Sequence, residues 1–107
     1  MRSPATTILL GMTFISSGAM AEELLGDPIA GRQLAENICS ACHVIAPGQV
    51  STTDVDAPAF PDLANTPRVT ALSLRVFLQS PHERMPDLHL DRDETDNIIA
   101  YILSLEG

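Results

Sequence analysis

Residues 39–43 read Cys39-Ser40-Ala41-Cys42-His43 and hold both cysteines of the 107-residue chain, with an imidazole directly behind the second. What lies on either side decides how these five positions are read. Upstream, Asp27 followed by Pro28 marks a helix start: an N-cap acceptor, then proline at the first helical position. Leu34 and Ile38 stand four apart in IAGRQLAENICSAC, with Ala30, Gly31 and Ala35 on nearby faces. This pattern predicts a helix running to about Cys42, which delivers both sulfurs from its last turn.

Downstream, residues 44–69 contain Pro47, Gly48, Pro58, Pro61 and Pro67. They predict a long irregular loop with one helical turn at Asp62–Asn65. Loops of that length inside a compact domain are uncommon unless they wrap something. Thr70–Ser80 predicts a short helix with Leu74, Phe77 and Leu78 on one face, stopped by Pro81. After the loop HERMPDLHL, a last helix opens at Asp91, with Glu94 three residues on in a capping-box arrangement. Its apolar face holds Ile98, Ile99, Ile102, Leu103 and Leu105, with Tyr101 among them. No strand pattern is visible, so the expected class is all-α, with three to four short helices.

The first 21 residues read as a cleaved secretory signal. Arg2 precedes an apolar run of eight, Ile8 to Ile15, and Ala19-Met20-Ala21 fits the small-residue cleavage pattern. The run is too short to span a membrane, which takes about 20 apolar residues. The expected mature domain is therefore 22–107. Cleavage would remove Arg2 and no acid, moving the formal charge from −8 to −9. All six basic residues are arginine. Nucleic acid and anionic lipid should repel such a chain. Beyond residue 21, Phe60, Phe77 and Tyr101 are the only aromatic residues besides histidine. A domain this small and this poor in large core residues usually completes itself with a disulfide, metal or cofactor. A Cys39–Cys42 bridge closes too small a loop to restrict the unfolded chain much.

Three chemistries compete for the cysteine pair. A redox-active dithiol normally sits at a helix start in a βαβ setting, whereas this pair ends a helix in a chain without strands. Tetrahedral zinc needs four ligands, usually from two separated clusters, and only His82 and His89 remain to supply them. C-x-x-C-H is the attachment signal for covalent haem. There the sulfurs bond the vinyl groups on one porphyrin edge and the histidine binds iron, a chemistry that suits an exported chain. The signal, the thin core and the wrapping loop together favour haem. Met85 is the only methionine beyond the leader and stands in a proline-bounded loop, so it is the expected second axial ligand. His82 and His89 are its alternatives.

With these residues in place, the chain resembles the class I c-type cytochromes, the small monohaem proteins of the bacterial periplasm, over nearly all of residues 27–107. Gly31, eight before Cys39, matches the glycine that lets the terminal helices cross closely. Tyr101 in Ala100-Tyr101-Ile102 matches the aromatic over that crossing, and Ile98 the apolar residue before it. Met85-Pro86-Asp87-Leu88 resembles the methionine-loop motif. Pro58 in Ala57-Pro58-Ala59-Phe60 resembles the proline whose carbonyl orients the ligand histidine, with Pro47 a weaker rival. Ala35 departs from the pattern, standing where a larger residue is common, so looser packing is expected there. The resemblance implies one haem c bonded to Cys39 and Cys42, with iron held by His43 and Met85. A filled coordination sphere implies one-electron carriage rather than catalysis, by a monomer that meets periplasmic redox partners, and the acidic charge predicts a basic rim on those partners. Two other roles are a fixed haem subunit of a dehydrogenase or reductase complex, and a sensor in which a small ligand displaces Met85. Asp91, Asp93, Glu94 and Asp96 read as capping and dipole residues of the last helix.

Overall fold

The computed structural model describes residues 2–5, 8–13, 25–85 and 88–107. Four helices follow one another: α1 Pro28–Leu34, α2 Phe60–Ala64, α3 Ala71–Gln79 and α4 Arg92–Ser104. A π-helical stretch, Ala35–Cys39, continues α1. There is no strand among the described residues, and the class is all-α.

Side chains placed at the ends start and stop the helices. Asp27 caps α1, its carboxylate accepting the Ile29 N–H at 2.8 Å. Thr70 and Ser73 form a reciprocal capping box on α3, and Asp91 and Glu94 form another on α4. The predicted helix at Thr70–Ser80 stands with those two residues as its caps, and α4 opens after Asp91 as predicted. The helical turn expected within the long loop at Asp62–Asn65 lies slightly earlier, at Phe60–Ala64.

The first helix ends three residues sooner than its periodicity suggests. The Ser40 N–H reaches back five residues to the Ala35 carbonyl at 2.9 Å, which widens the turn. That leaves the Glu36 carbonyl without its usual α-helical donor, and the Ser40 hydroxyl donates to it at 2.6 Å. Beyond Ser40 the chain tightens instead. The amides of Cys42 and His43 both converge on the Cys39 carbonyl, at 3.1 and 2.9 Å.

Helix α4 is the spine, packing against α1, α2 and α3. Its Thr95, Ile98, Ile99, Ala100, Tyr101 and Ile102 are buried, and Ile98, Ile99, Tyr101 and Ile102 meet Ala35, Cys39, Ile45, Phe60, Ala64 and Leu74 in one core. Ala35 is fully buried, so the small side chain lies within the packed crossing. Asp96 departs from its expected capping role. It is buried and paired with Arg75 of α3. This ties α3 to α4, and removing Arg75 would leave the buried carboxylate of Asp96 without its partner.

The crossing of α1 and α4 is close enough to exclude a β-carbon. At Gly31, a methyl group would coincide with the backbone carbonyl of Asn97 and lie 2.9 Å from Cβ of Tyr101. Gly26 makes the same approach to the backbone of Asp96 and Asn97, which the sequence pattern did not single out. Asn97 returns a contact, its Oδ1 accepting the Asp27 N–H at 2.8 Å.

At the N-terminus, Ile8, Leu9, Leu10 and Met12 are exposed. The small-residue pattern Ala19-Met20-Ala21 lies outside the described residues, as do Ile15 and the acidic pair Glu22-Glu23. No helix among the described residues is long and apolar enough to cross a membrane.

Replacing Gly31 by Ala should lower unfolding free energy by about 2–3 kcal/mol, because helices in contact through backbone must separate. That loss exceeds the roughly 1 kcal/mol by which Ala favours a helix over Gly. Gln33→Ala, on the exposed side of the same helix, should change it by less than about 0.5 kcal/mol. Urea unfolding of the two variants measures the difference.

Candidate functional site

Cys39, Cys42 and His43 emerge together from the end of the first helix. Cys39 is buried in the core, while Cys42 and His43 are half-buried. Burial pushes the Cys39 thiol up to about 11, far from the thiolate that a redox-active pair needs near neutral pH. No group of three or more His, Cys, Asp or Glu side chains suited to a metal ion occurs among the described residues.

The orientation of His43 follows from a single contact. Its Nδ1 lies 2.7 Å from the carbonyl oxygen of Pro58. A carbonyl can only accept, so Nδ1 carries a proton, and in the neutral ring Nε2 keeps its lone pair. The imidazole is thereby set in the tautomer that binds a metal through Nε2, with a carbonyl raising its basicity. Pro58 rather than Pro47 supplies that carbonyl. On one side the ring leans against Phe60, with centroids 5.3 Å apart and planes tilted by 49°. The Phe60 ring in turn meets Tyr101 at 6.4 Å.

The same region closes the wrapping loop. The Phe60 N–H donates to the Val44 carbonyl at 2.8 Å, cinching residues 45–59 at their base. Near the start of that loop, the buried hydroxyl of Tyr101 donates to the Ile45 carbonyl at 2.6 Å. Gln49 folds back so that its Oε1 accepts from the amides of Ile45 and Ala46, at 3.2 and 3.3 Å. The loop thus hangs from α4 through Tyr101 and from the cysteine segment through His43. Burial also pushes the Tyr101 phenol above its ordinary value; Arg32 opposes the shift and Glu36 adds to it.

Met85 lies elsewhere in the chain, half-buried in the loop between α3 and α4. Pro86 and Asp87, the middle of the expected methionine motif, lie outside the described residues. His82 is exposed, with its ring stacked on Phe77. His89 is also exposed and adopts a positive φ of 46°. Around the core, Leu63, Val69, Leu78 and Leu90 pack inward yet stay half-buried.

The donor set fits a covalently held haem. Two thiols come from one helical turn, the adjacent histidine keeps an Nε2 lone pair, and half-buried apolar side chains are available to cover a flat ring. Sequence reasoning found all three residues of the turn. It missed the Phe60 ring beside His43 and the Ser40 hydroxyl that supports the widened turn. A lone phenylalanine after Pro58 and a serine between cysteines carry no spacing signal that would have found them.

The fold and this turn are those of a small cytochrome with its attachment motif near the front of the domain. Cytochrome c-552 of Bradyrhizobium diazoefficiens is 38% identical to this chain over 98 residues, covering 92% of this chain and 89% of that protein. The chain belongs to the small c-type cytochromes. No family model matches it, and no solved structure does so.

Tyr101→Phe should cost about 1–3 kcal/mol at neutral pH, because the buried Ile45 carbonyl loses its donor. The phenol is held protonated in the fold above its ordinary value near 10. Wild-type stability should therefore fall as pH rises through that value toward the higher folded one, since the unfolded chain releases the proton first. The phenylalanine variant has no such proton to release, so its deficit should narrow above pH 10. Urea midpoints taken from neutral to alkaline pH test both parts.

Proposed function

We propose that the chain is a periplasmic one-electron carrier with one haem c, bonded through Cys39 and Cys42 and ligated by His43 and Met85. The observation that carries this reading is the His43–Pro58 bond, which leaves Nε2 as the free donor in the turn that supplies both sulfurs. When bound, the haem supplies a ferric/ferrous couple. The chain's part is to keep the ligands still between the two states. His43 is fixed by Pro58 and Phe60, so its ring need not reorient when charge changes. Met85 offers a thioether, which favours the ferrous state relative to a second imidazole. With His43 and Met85 both holding the iron, a small molecule would find no open site.

Export is supported by the order of Arg2, the apolar run and the small-residue stretch. The exposure of Ile8, Leu9, Leu10 and Met12 agrees with a leader that is not built into the core. The expected charge of −9 after its removal favours partners with a basic rim. Encounters of this kind bury little area, typically below about 1,200 Å², and their association should slow as salt rises. One observation favours the reading as a fixed subunit of a larger complex: Leu72 and Val76 lie one turn apart on α3 and are 70% and 58% exposed. A monomer on gel filtration at micromolar concentration, with no co-purifying subunit, would speak for the free carrier.

Haem colour should stay with the polypeptide through boiling in detergent, because thioether bonds outlast the fold. Haem that separates from the chain would end the covalent reading. Met85→Ala should abolish the sulfur-to-iron charge-transfer band of the ferric protein and admit exogenous ligands. An unchanged ferric spectrum would move the ligand role to His82 or His89.

A further inference from the structure

The loop that carries Met85 leaves α3 through contacts that the proposed electron transfer does not itself require. The His82 ring lies on Phe77 with centroids 3.8 Å apart and planes 17° from parallel. Its Nε2 is 3.0 Å from the Phe77 carbonyl oxygen. Since that oxygen can only accept, Nε2 carries a proton and donates it. The same oxygen receives the Ser80 N–H at 3.2 Å, and the Ser80 hydroxyl donates to the Val76 carbonyl at 2.6 Å. Two carbonyls of the last turn of α3 are therefore satisfied by chain that has already left the helix. Pro81 stands between these anchors with its φ fixed, so Ser80, Pro81 and His82 form one stiff exit. Met85 follows three residues later, within about 11 Å of His82 along the chain. At the far side the loop is fixed by the capping box of Asp91 and Glu94.

We propose that His82 is a positioning residue for the methionine loop. Its stack on Phe77 and its hydrogen bond to the Phe77 carbonyl hold the start of that loop where Met85 can serve as the axial ligand. The inference rests on the reading of Met85 as ligand. His82 acts on the loop and not on the iron, because its Nε2 is committed to Phe77 and its ring to the Phe77 face. Loss of the anchor lengthens the free part of the loop and raises the population in which Met85 has swung away.

The test uses the haem-loaded ferric protein, with imidazole as the probe of Met85 detachment. His82→Ala should keep the sulfur-to-iron band at neutral pH yet bind imidazole about tenfold more tightly, the scale of one lost hydrogen bond and stack. Phe77→Leu should act in the same direction. The double variant should bind within about twofold of the tighter single one, because both remove one contact. His82→Gln keeps a donor without the flat ring, and serves if the alanine variant does not hold haem; it should shift affinity in the same direction by a smaller factor. Faster amide hydrogen exchange at residues 80–85, with exchange in α1 and α4 unchanged, should accompany these shifts. Wild-type imidazole affinity in His82→Ala, with the band intact, would overturn the proposal while leaving Met85 as ligand. A wild-type ferric protein without the band, whose spectrum changes in His82→Ala and not in Met85→Ala, would overturn both, making His82 the ligand.

Discussion

The imidazole of His43 has a defined chemical role only because its Nδ1–H is committed to the Pro58 carbonyl at 2.7 Å. Without that bond the ring could rotate, and its proton could sit on either nitrogen. With it, one nitrogen donates and the other is left as a base. The cost of this arrangement falls on the loop, which must bring a backbone carbonyl to a side chain 15 positions away. Three further contacts meet that cost: the Val44–Phe60 backbone bond, the Phe60 ring against His43, and Tyr101 holding Ile45. An irregular segment with no helix of its own is thereby tied near both of its ends to the structure around it.

Those contacts in turn depend on where α4 lies relative to α1. Tyr101 reaches Ile45 from α4, while Cys39 and His43 are delivered by the continuation of α1. The two helices must therefore cross at one depth and in one register. Backbone contact at Gly31 and Gly26 sets the depth, since no side chain intervenes. The hydrogen bond from the Asp27 amide to Asn97 fixes the register. Ala35, fully buried one turn after Gly31, extends the close approach toward the cysteines. The widening that begins at Ala35 then lets the chain leave this crossing and turn its last residues toward the loop. Ser40 supports the departure by donating to the carbonyl that the widened turn leaves over.

The sequence made plain whatever is encoded locally or by a fixed spacing. Asp27-Pro28, Thr70, and the Asp91–Glu94 pair mark helix starts by short-range hydrogen bonding alone, and each does so in the structure. Gly31 and Tyr101 were legible through resemblance to a known pattern. Periodicity placed the end of the first helix three residues late, because an α-helical and a π-helical turn carry the same apolar spacing at their entrance. Asp96 was read as one of four acids at a helix start. Its pairing with Arg75 depends on how α3 lies against α4, and nothing in either segment records that angle. Phe60 beside His43 is of the same kind: the contact exists only after the loop has closed.

The two proposed axial ligands are held with unequal security, and that asymmetry bears on how such a site moves. His43 leans on Phe60, whose ring meets Tyr101, and both of those rings are buried, although its own bond to Pro58 is exposed. Met85 sits in a loop whose entry is tied by exposed contacts at Ser80 and His82 and whose exit is tied by the exposed cap at Asp91. Exposed hydrogen bonds exchange readily with water and contribute about 1 kcal/mol each. Local opening follows the least protected segment, so the methionine loop is expected to open before the buried rings that back His43. Because the sulfurs lie on the secure side, a ring bonded to them would keep its attachment and one ligand through such an excursion. The other ligand would then have only a short loop to traverse on its return.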